Sequence, residues 1–179
     1  PIMKKIPLVL SLTLSVLTLA NAFAENLLQI ADGGFETLPQ SDMAIYKSPE
    51  AQDALKVRVV NEGAFEDSGC LEIDLPVAAY ASISFPLKRS AKIASLRFAY
   101  KGELADGADV KIGIQSYKME NGFKSVDFKP FFDDSKITTN WEVHRQTIEL
   151  TEEATHWQVS IAIKGPAKVW IDGLEVLSE

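Results

Sequence analysis

The run Trp157-Gln158-Val159-Ser160-Ile161-Ala162-Ile163-Lys164 decides the fold. Apolar Trp157, Val159, Ile161 and Ile163 alternate with Gln158, Ser160, Ala162 and Lys164. Successive residues of a strand point to opposite faces, so this run is a strand with one face in a core and one turned outward. Working outward from it, the same alternation recurs. Val110, Ile112 and Ile114 face inward and leave Lys111, Gly113, Gln115 and Tyr117 on the other side. Leu96, Phe98 and Tyr100 are set against Arg97, Ala99 and Lys101.

Further short runs of this kind span 56–60, 71–75, 81–87, 93–101, 110–118, 141–150 and 169–177. Between them lie Glu62-Gly63, Ser68-Gly69, Ala105-Asp106-Gly107, Asn121-Gly122 and Gly165-Pro166, which are turn-forming residues. No segment past residue 24 sustains a helical period. Many short strands with turn punctuation predict an all-β sandwich of two antiparallel sheets. No internal repeat or second-domain linker interrupts 25–179, which reads as one domain.

The N-terminus has a different character. Lys4 and Lys5 precede an uncharged apolar stretch from Pro7 to Ala20. That stretch is short of the roughly 20 residues that span a bilayer, but suits the apolar region of a secretory signal peptide. Small residues follow at Ala20, Ala22 and Ala24, and Ala22-Phe23-Ala24 before Glu25 is the expected cleavage point. Residues 1–24 are therefore read as a cleaved signal, with Pro1 and Ile2 lying upstream of Met3. The expected location is outside the cytoplasm, periplasmic or extracellular, with no membrane attachment after cleavage.

The chain has 18 Lys and Arg against 25 Asp and Glu, for a formal charge of −7. Losing Lys4 and Lys5 with the signal makes the remainder more acidic still. Such a surface argues against nucleic acid or anionic lipid, whose phosphates need cationic neutralisation. Neutral glycans and hard cations suit it. Cys70 is the single cysteine, so no internal disulfide forms and stability rests on the core. The expected state of Cys70 is a buried, inert thiol.

Five blocks, in order, carry a family likeness across 25–179. They are Asn26-Leu27-Leu28 with Gly33-Gly34-Phe35-Glu36, then Ser95-Leu96-Arg97-Phe98-Ala99-Tyr100-Lys101-Gly102. Val110-Lys111-Ile112-Gly113-Ile114 and Thr138-Thr139-Asn140-Trp141-Glu142 follow, and Lys168-Val169-Trp170-Ile171-Asp172-Gly173-Leu174-Glu175-Val176 closes the set. This ordered set resembles the carbohydrate-binding modules of families 4, 9 and 22, which are jelly-roll sandwiches of the galactose-binding-like type. The resemblance implies a poly- or oligosaccharide ligand and a partner glycoside hydrolase. It also implies a structural calcium, with Glu36 and Asp172 matching the motif acids. The first and last strands of a jelly roll lie close, so these two carboxylates are expected to converge, and calcium takes several oxygen ligands. Gly173 departs from the pattern, standing where the family usually carries a second Asp.

Sugar recognition calls for an aromatic plate beside polar side chains. Tyr117 and Gln115 on one strand and Gln158 with Ser160 on another supply the outward candidates, joined by Arg97 and Lys111. Small Ala99, Gly113 and Ala162 leave room for a shallow groove. Trp170 alternates away from Val169 and Ile171 and joins the ligand-binding set. Tyr80, Phe131, Phe132 and His156 are rim candidates, whereas Trp141 and Trp157 fall at core-facing phases. His144 and His156 lack metal-ligand spacing.

No nucleophile elbow, zinc-binding HExxH, phosphate-binding loop or Cys–His signature occurs. Three readings stay open: an exported glycan-binding module, a structural or protein-interaction sandwich of the cell envelope, and a small polysaccharide-active hydrolase or lyase.

Overall fold

A computed structural model describes residues 24–30, 33–66, 68–88, 93–130 and 137–178. The predicted signal up to Phe23, and the rim candidates Phe131 and Phe132, lie outside the described residues.

Among the described residues ten strands form: β1 (Ala44–Lys47), β2 (Lys56–Val60), β3 (Cys70–Leu75), β4 (Tyr80–Pro86), β5 (Ile93–Leu104), β6 (Asp109–Met119), β7 (Phe123–Pro130), β8 (Glu142–Glu149), β9 (His156–Lys164) and β10 (Ala167–Ser178). They make two antiparallel five-stranded sheets, ordered β1-β4-β9-β6-β7 and β2-β3-β10-β5-β8. The expected sandwich is therefore what forms. The chain passes repeatedly from one sheet to the other, as a jelly roll does.

Alternation explains the core. Ala81, Ile83 and Phe85 of β4, Val110, Ile112 and Ile114 of β6, and Val159, Ile161 and Ile163 of β9 are all buried. They meet Leu71, Ile73 and Leu75 of β3, Leu96 and Phe98 of β5, and Val169 and Ile171 of β10. Fully burying a side chain of this size contributes about 1.5–3 kcal/mol, so the interdigitated faces hold the two sheets together. The segment after Glu25 closes one end. Leu27 N donates to Val176 O at 2.6 Å and Lys88 N donates to Leu27 O at 2.7 Å, tying that segment to β10 and to the end of β4. Cys70 is buried, and burial pushes its thiol up to about 11.

Trp157 takes its predicted place in the core, but Trp141 does not. It lies just before β8, half-buried, with its indole N–H donating to Gly63 O at 2.9 Å and Lys101 Nζ 4.7 Å from its ring centroid.

Candidate functional site

The sheet ordered β1-β4-β9-β6-β7 brings the outward residues of three central strands side by side. Gln115 pairs with Gln158, and Tyr117 with His156, across β6 and β9. Ser84 pairs with Ser160, and Ser82 with Ala162, across β4 and β9. Tyr117, Gln115 and Gln158 thus share one outer face, with Ser160 beside them.

Their hydrogen bonds fix their orientations. Gln158 Nε2 donates to Ser84 Oγ at 3.0 Å and to the Tyr117 hydroxyl oxygen at 3.2 Å. Gln115 Nε2 donates to Ser125 Oγ at 2.7 Å and to Asp127 O at 2.8 Å. The two amide nitrogens are spent within the protein. Burial, and then the neighbouring Tyr80 hydroxyl, push the Tyr117 phenol above its ordinary pKa, so it stays a neutral hydroxyl.

Aromatic rings flank this polar strip. At one end the Tyr46 and Tyr80 rings lie 6.0 Å apart. At the other end Phe123 meets Tyr117 edge-on at 5.7 Å and His156 at 5.2 Å. Phe123 is 64% exposed and Tyr46 61%, so these rings are surface groups rather than core. Phe128 lies over Gly113, where a Cβ would come 2.9 Å from Phe128 Cε2. Between Tyr80 and Phe128 is a hollow of about 370 Å³, floored by Ser160 and Ala162 and reached by Gln115.

The sequence missed two of the strands that carry these rings. Short β1 brings Tyr46, and β7 brings Phe123 and Phe128. In β7 the register shifts opposite Ser116 and Tyr117. The extra residue breaks the period of two, so Ser125 and Phe128 face the same side despite their odd spacing. Period-two reading fails on such a strand.

Arg97 and Trp170 do not join this face. They lie on β5 and β10, in the other sheet. Alternation tells which way a side chain points relative to its own sheet, but not which sheet it belongs to. Arg97 forms an ion pair with Glu66 and donates to Gly173 O at 3.4 Å. The Glu66 contact holds the guanidinium above its usual pKa. Trp170 donates to Glu72 at 3.1 Å, with Lys101 Nζ and Lys168 Nζ 5.2 and 4.9 Å from its ring centroid. Cations already occupy the ring, so it offers no open plate.

Glu36 and Asp172 each accept backbone amides from residues shortly before β3. Asp172 Oδ2 accepts from Phe65 N and Glu66 N, each at 2.8 Å. Glu36 accepts from Ser68 N at 2.9 Å, from Gly69 N at 3.0 Å and from the Ser68 hydroxyl. The Ser68 hydroxyl and amide together hold the Glu36 carboxyl below its ordinary range. Calcium needs oxygen donors aimed at it, whereas these carboxylates are aimed at N–H groups. Among the described residues no three His, Cys, Asp or Glu side chains gather into a metal cluster. Gly173 adopts φ 56°, in the left-handed region, where the family's usual Asp would be strained.

No family model matches the chain, and no curated protein matches it. Solved structures do. A family 61 carbohydrate-binding module (TmCBM61), in complex with beta-1,4-galactotriose, superposes at TM-score 0.55 and 20% identity, covering 87% of this chain and all (100%) of that one. The CBM22-1 xylan-binding domain of Paenibacillus barcinonensis Xyn10C gives TM-score 0.58 at 14% identity, over 88% of this chain and 97% of that one. The fold is that of a carbohydrate-binding module. A third match is the enzymatically active domain of bacteriophage CBA120 tailspike protein 4, at TM-score 0.59 and 12% identity. That match covers 82% of this chain but only 20% of the tailspike chain.

Proposed function

We propose that this is an exported, non-catalytic glycan-binding module whose site is the outer face of β4, β9 and β6. One observation carries the reading: a polar strip of Gln115, Gln158 and Ser84 lies between two groups of exposed rings on a single sheet. A pyranose has an apolar face and a hydroxylated edge. Rings satisfy the first and amides and hydroxyls the second. Resemblance and shared fold support the same reading, since neighbours of this fold are modules for xylan and for beta-1,4-galactotriose. Export rests on the basic-apolar-small pattern of residues 1–24. A glycoside hydrolase or an envelope protein is the proposed partner.

Affinity electrophoresis through gels containing xylan, β-1,4-galactan or other poly- and oligosaccharides tests the assignment. Retardation by a glycan, abolished in Tyr117→Ala and weakened in Gln115→Ala, is the expected result. No retardation by any glycan overturns it in favour of a structural sandwich, and release of reducing ends would make the protein an enzyme.

A further inference from the structure

The groove has one end unlike the rest. Lys164, the last residue of β9, lies between Tyr80 of β4 and Asp109 of β6. Lys111 is close by on β6, and both lysines line the hollow between Tyr80 and Phe128. Asp109 is already spent, since its carboxylate sits 3.1 Å from Lys111 Nζ. Lys164 is exposed and forms no ion pair among the described residues. Lys164 thus places a positive group in the groove of a chain whose formal charge is −7. Solubility gains nothing from it that another acid would not supply.

We propose that the groove takes an acidic glycan, with Lys164 binding the carboxylate of a uronic acid residue. This rests on the glycan reading above and names its ligand class. The stereochemistry fits the layout. A uronate carries its carboxylate at the ring edge, so a ring laid on Tyr80 projects the charge sideways toward the Lys164 ammonium. Ala162 and Ser160 beneath are small and leave space for the ring. Lysine is a flexible point charge, suited to a carboxylate whose approach varies from residue to residue of a polymer. A charge-assisted hydrogen bond of this kind is worth roughly tenfold in affinity.

The test uses the full chain and a panel of uronate-bearing polysaccharides: polygalacturonate, alginate and glucuronoxylan. Each is paired with its carboxyl-reduced counterpart, which keeps the linkage and loses the charge. At least one acidic polymer is expected to retard the protein more than its reduced form, and the difference should shrink as salt is raised. Lys164→Gln should lose about tenfold for the acidic polymer and nothing for the reduced one, while Lys164→Arg keeps most of the binding. Lys164 is exposed at a strand end, and the unchanged melting temperature of each variant confirms its fold. Equal retardation by acidic and reduced polymers, or a Lys164→Gln variant that binds both as before, overturns the uronate inference and leaves the glycan reading standing. Preference for a sulfated galactan over every uronan overturns the carboxylate assignment in the same way. Retardation by no polymer of either kind overturns both readings together.

Discussion

Gln158 donates its side-chain amide to the Tyr117 hydroxyl oxygen across 3.2 Å, linking neighbouring strands on the groove face. Because that oxygen accepts, the phenolic hydrogen is left to donate elsewhere. The Gln158 amide oxygen, its nitrogen already bound to Ser84 and Tyr117, is left to accept. One donor and one acceptor thus stand side by side, a match for adjacent hydroxyls on a sugar. Tyr117→Phe keeps the ring and removes the hydroxyl, so it should lower glycan affinity about two- to tenfold, the worth of a neutral hydrogen bond. Tyr117→Ala removes the ring as well and should cost more. Isothermal titration against the retarding glycan checks both, and equal affinities for the two variants would show that only the hydroxyl matters.

How much of this was legible beforehand depends on the strand. The run 157–164 announces both its own fold and the outward place of Gln158, because it is buried on one face and regular throughout. Tyr117 and Gln115 are legible for the same reason. Phe128 and Phe123 are not, because the register shift in β7 hides their shared face. Tyr46 is hidden by the brevity of β1, too short to display a period. Arg97 and Trp170 were misplaced for a third reason, since the pairing order of strands is set by tertiary contacts that alternation does not encode.

Arg97 gives a clean separation of fold from site. It ties β5 to the loop carrying Glu66, on the sheet opposite the groove. Arg97→Gln should leave glycan affinity unchanged and lower stability by about 1 kcal/mol, because the pair is partly screened by solvent. Urea midpoints and a parallel titration measure the two effects. A variant of intact stability with lost binding would place Arg97 at the ligand after all.

Asp172 is the deeper anchor of that loop. Its side chain is fully buried, at 0% exposure, and accepts the amides of Phe65, Glu66 and Gly173. Burial raises its pKa first of all, and the three amides pull against that rise. Asp172→Ala strands these N–H groups, of which the Gly173 one is buried and the other two part-buried, and a buried one left unsatisfied costs about 1–3 kcal/mol. The expected variant folds with a markedly lower urea midpoint, or fails to accumulate. The milder Asp172→Asn keeps one acceptor oxygen and should fall between it and the wild type.

Calcium and acid address the same two carboxylates. An ion bound only to the folded state would raise the melting temperature with its concentration. With Glu36 and Asp172 held on amides, chelator is expected to leave the melting temperature unchanged; a fall reversed by added calcium would restore the ion. Acid should act through Glu36. Its folded-state pKa lies below the ordinary 4.5, so its contribution is complete above that value and is lost as pH falls through the lowered one. Melting temperatures followed downward from neutral pH should therefore drop below about pH 4.5, and less steeply in Glu36→Gln, whose side chain no longer titrates.

Gly113 tests whether the fold and the groove are built by the same contacts. An added Cβ there would collide with the Lys129 carbonyl oxygen of β7 and press on the Phe128 ring. Flexible side chains give way to such a methyl, but a backbone carbonyl in a paired strand moves only with its ladder. Gly113→Ala should therefore push β7 outward and cost about 1–3 kcal/mol, as overpacking does. The displacement carries Phe128 with it, so the hollow beside Tyr80 changes shape. Lower stability together with weaker glycan binding is the expected pair of results, read from urea midpoints and titration. Lower stability with unaltered affinity would mean that Phe128 takes no part in recognition, and that the ligand rests on the strip between Tyr80 and Tyr117 alone.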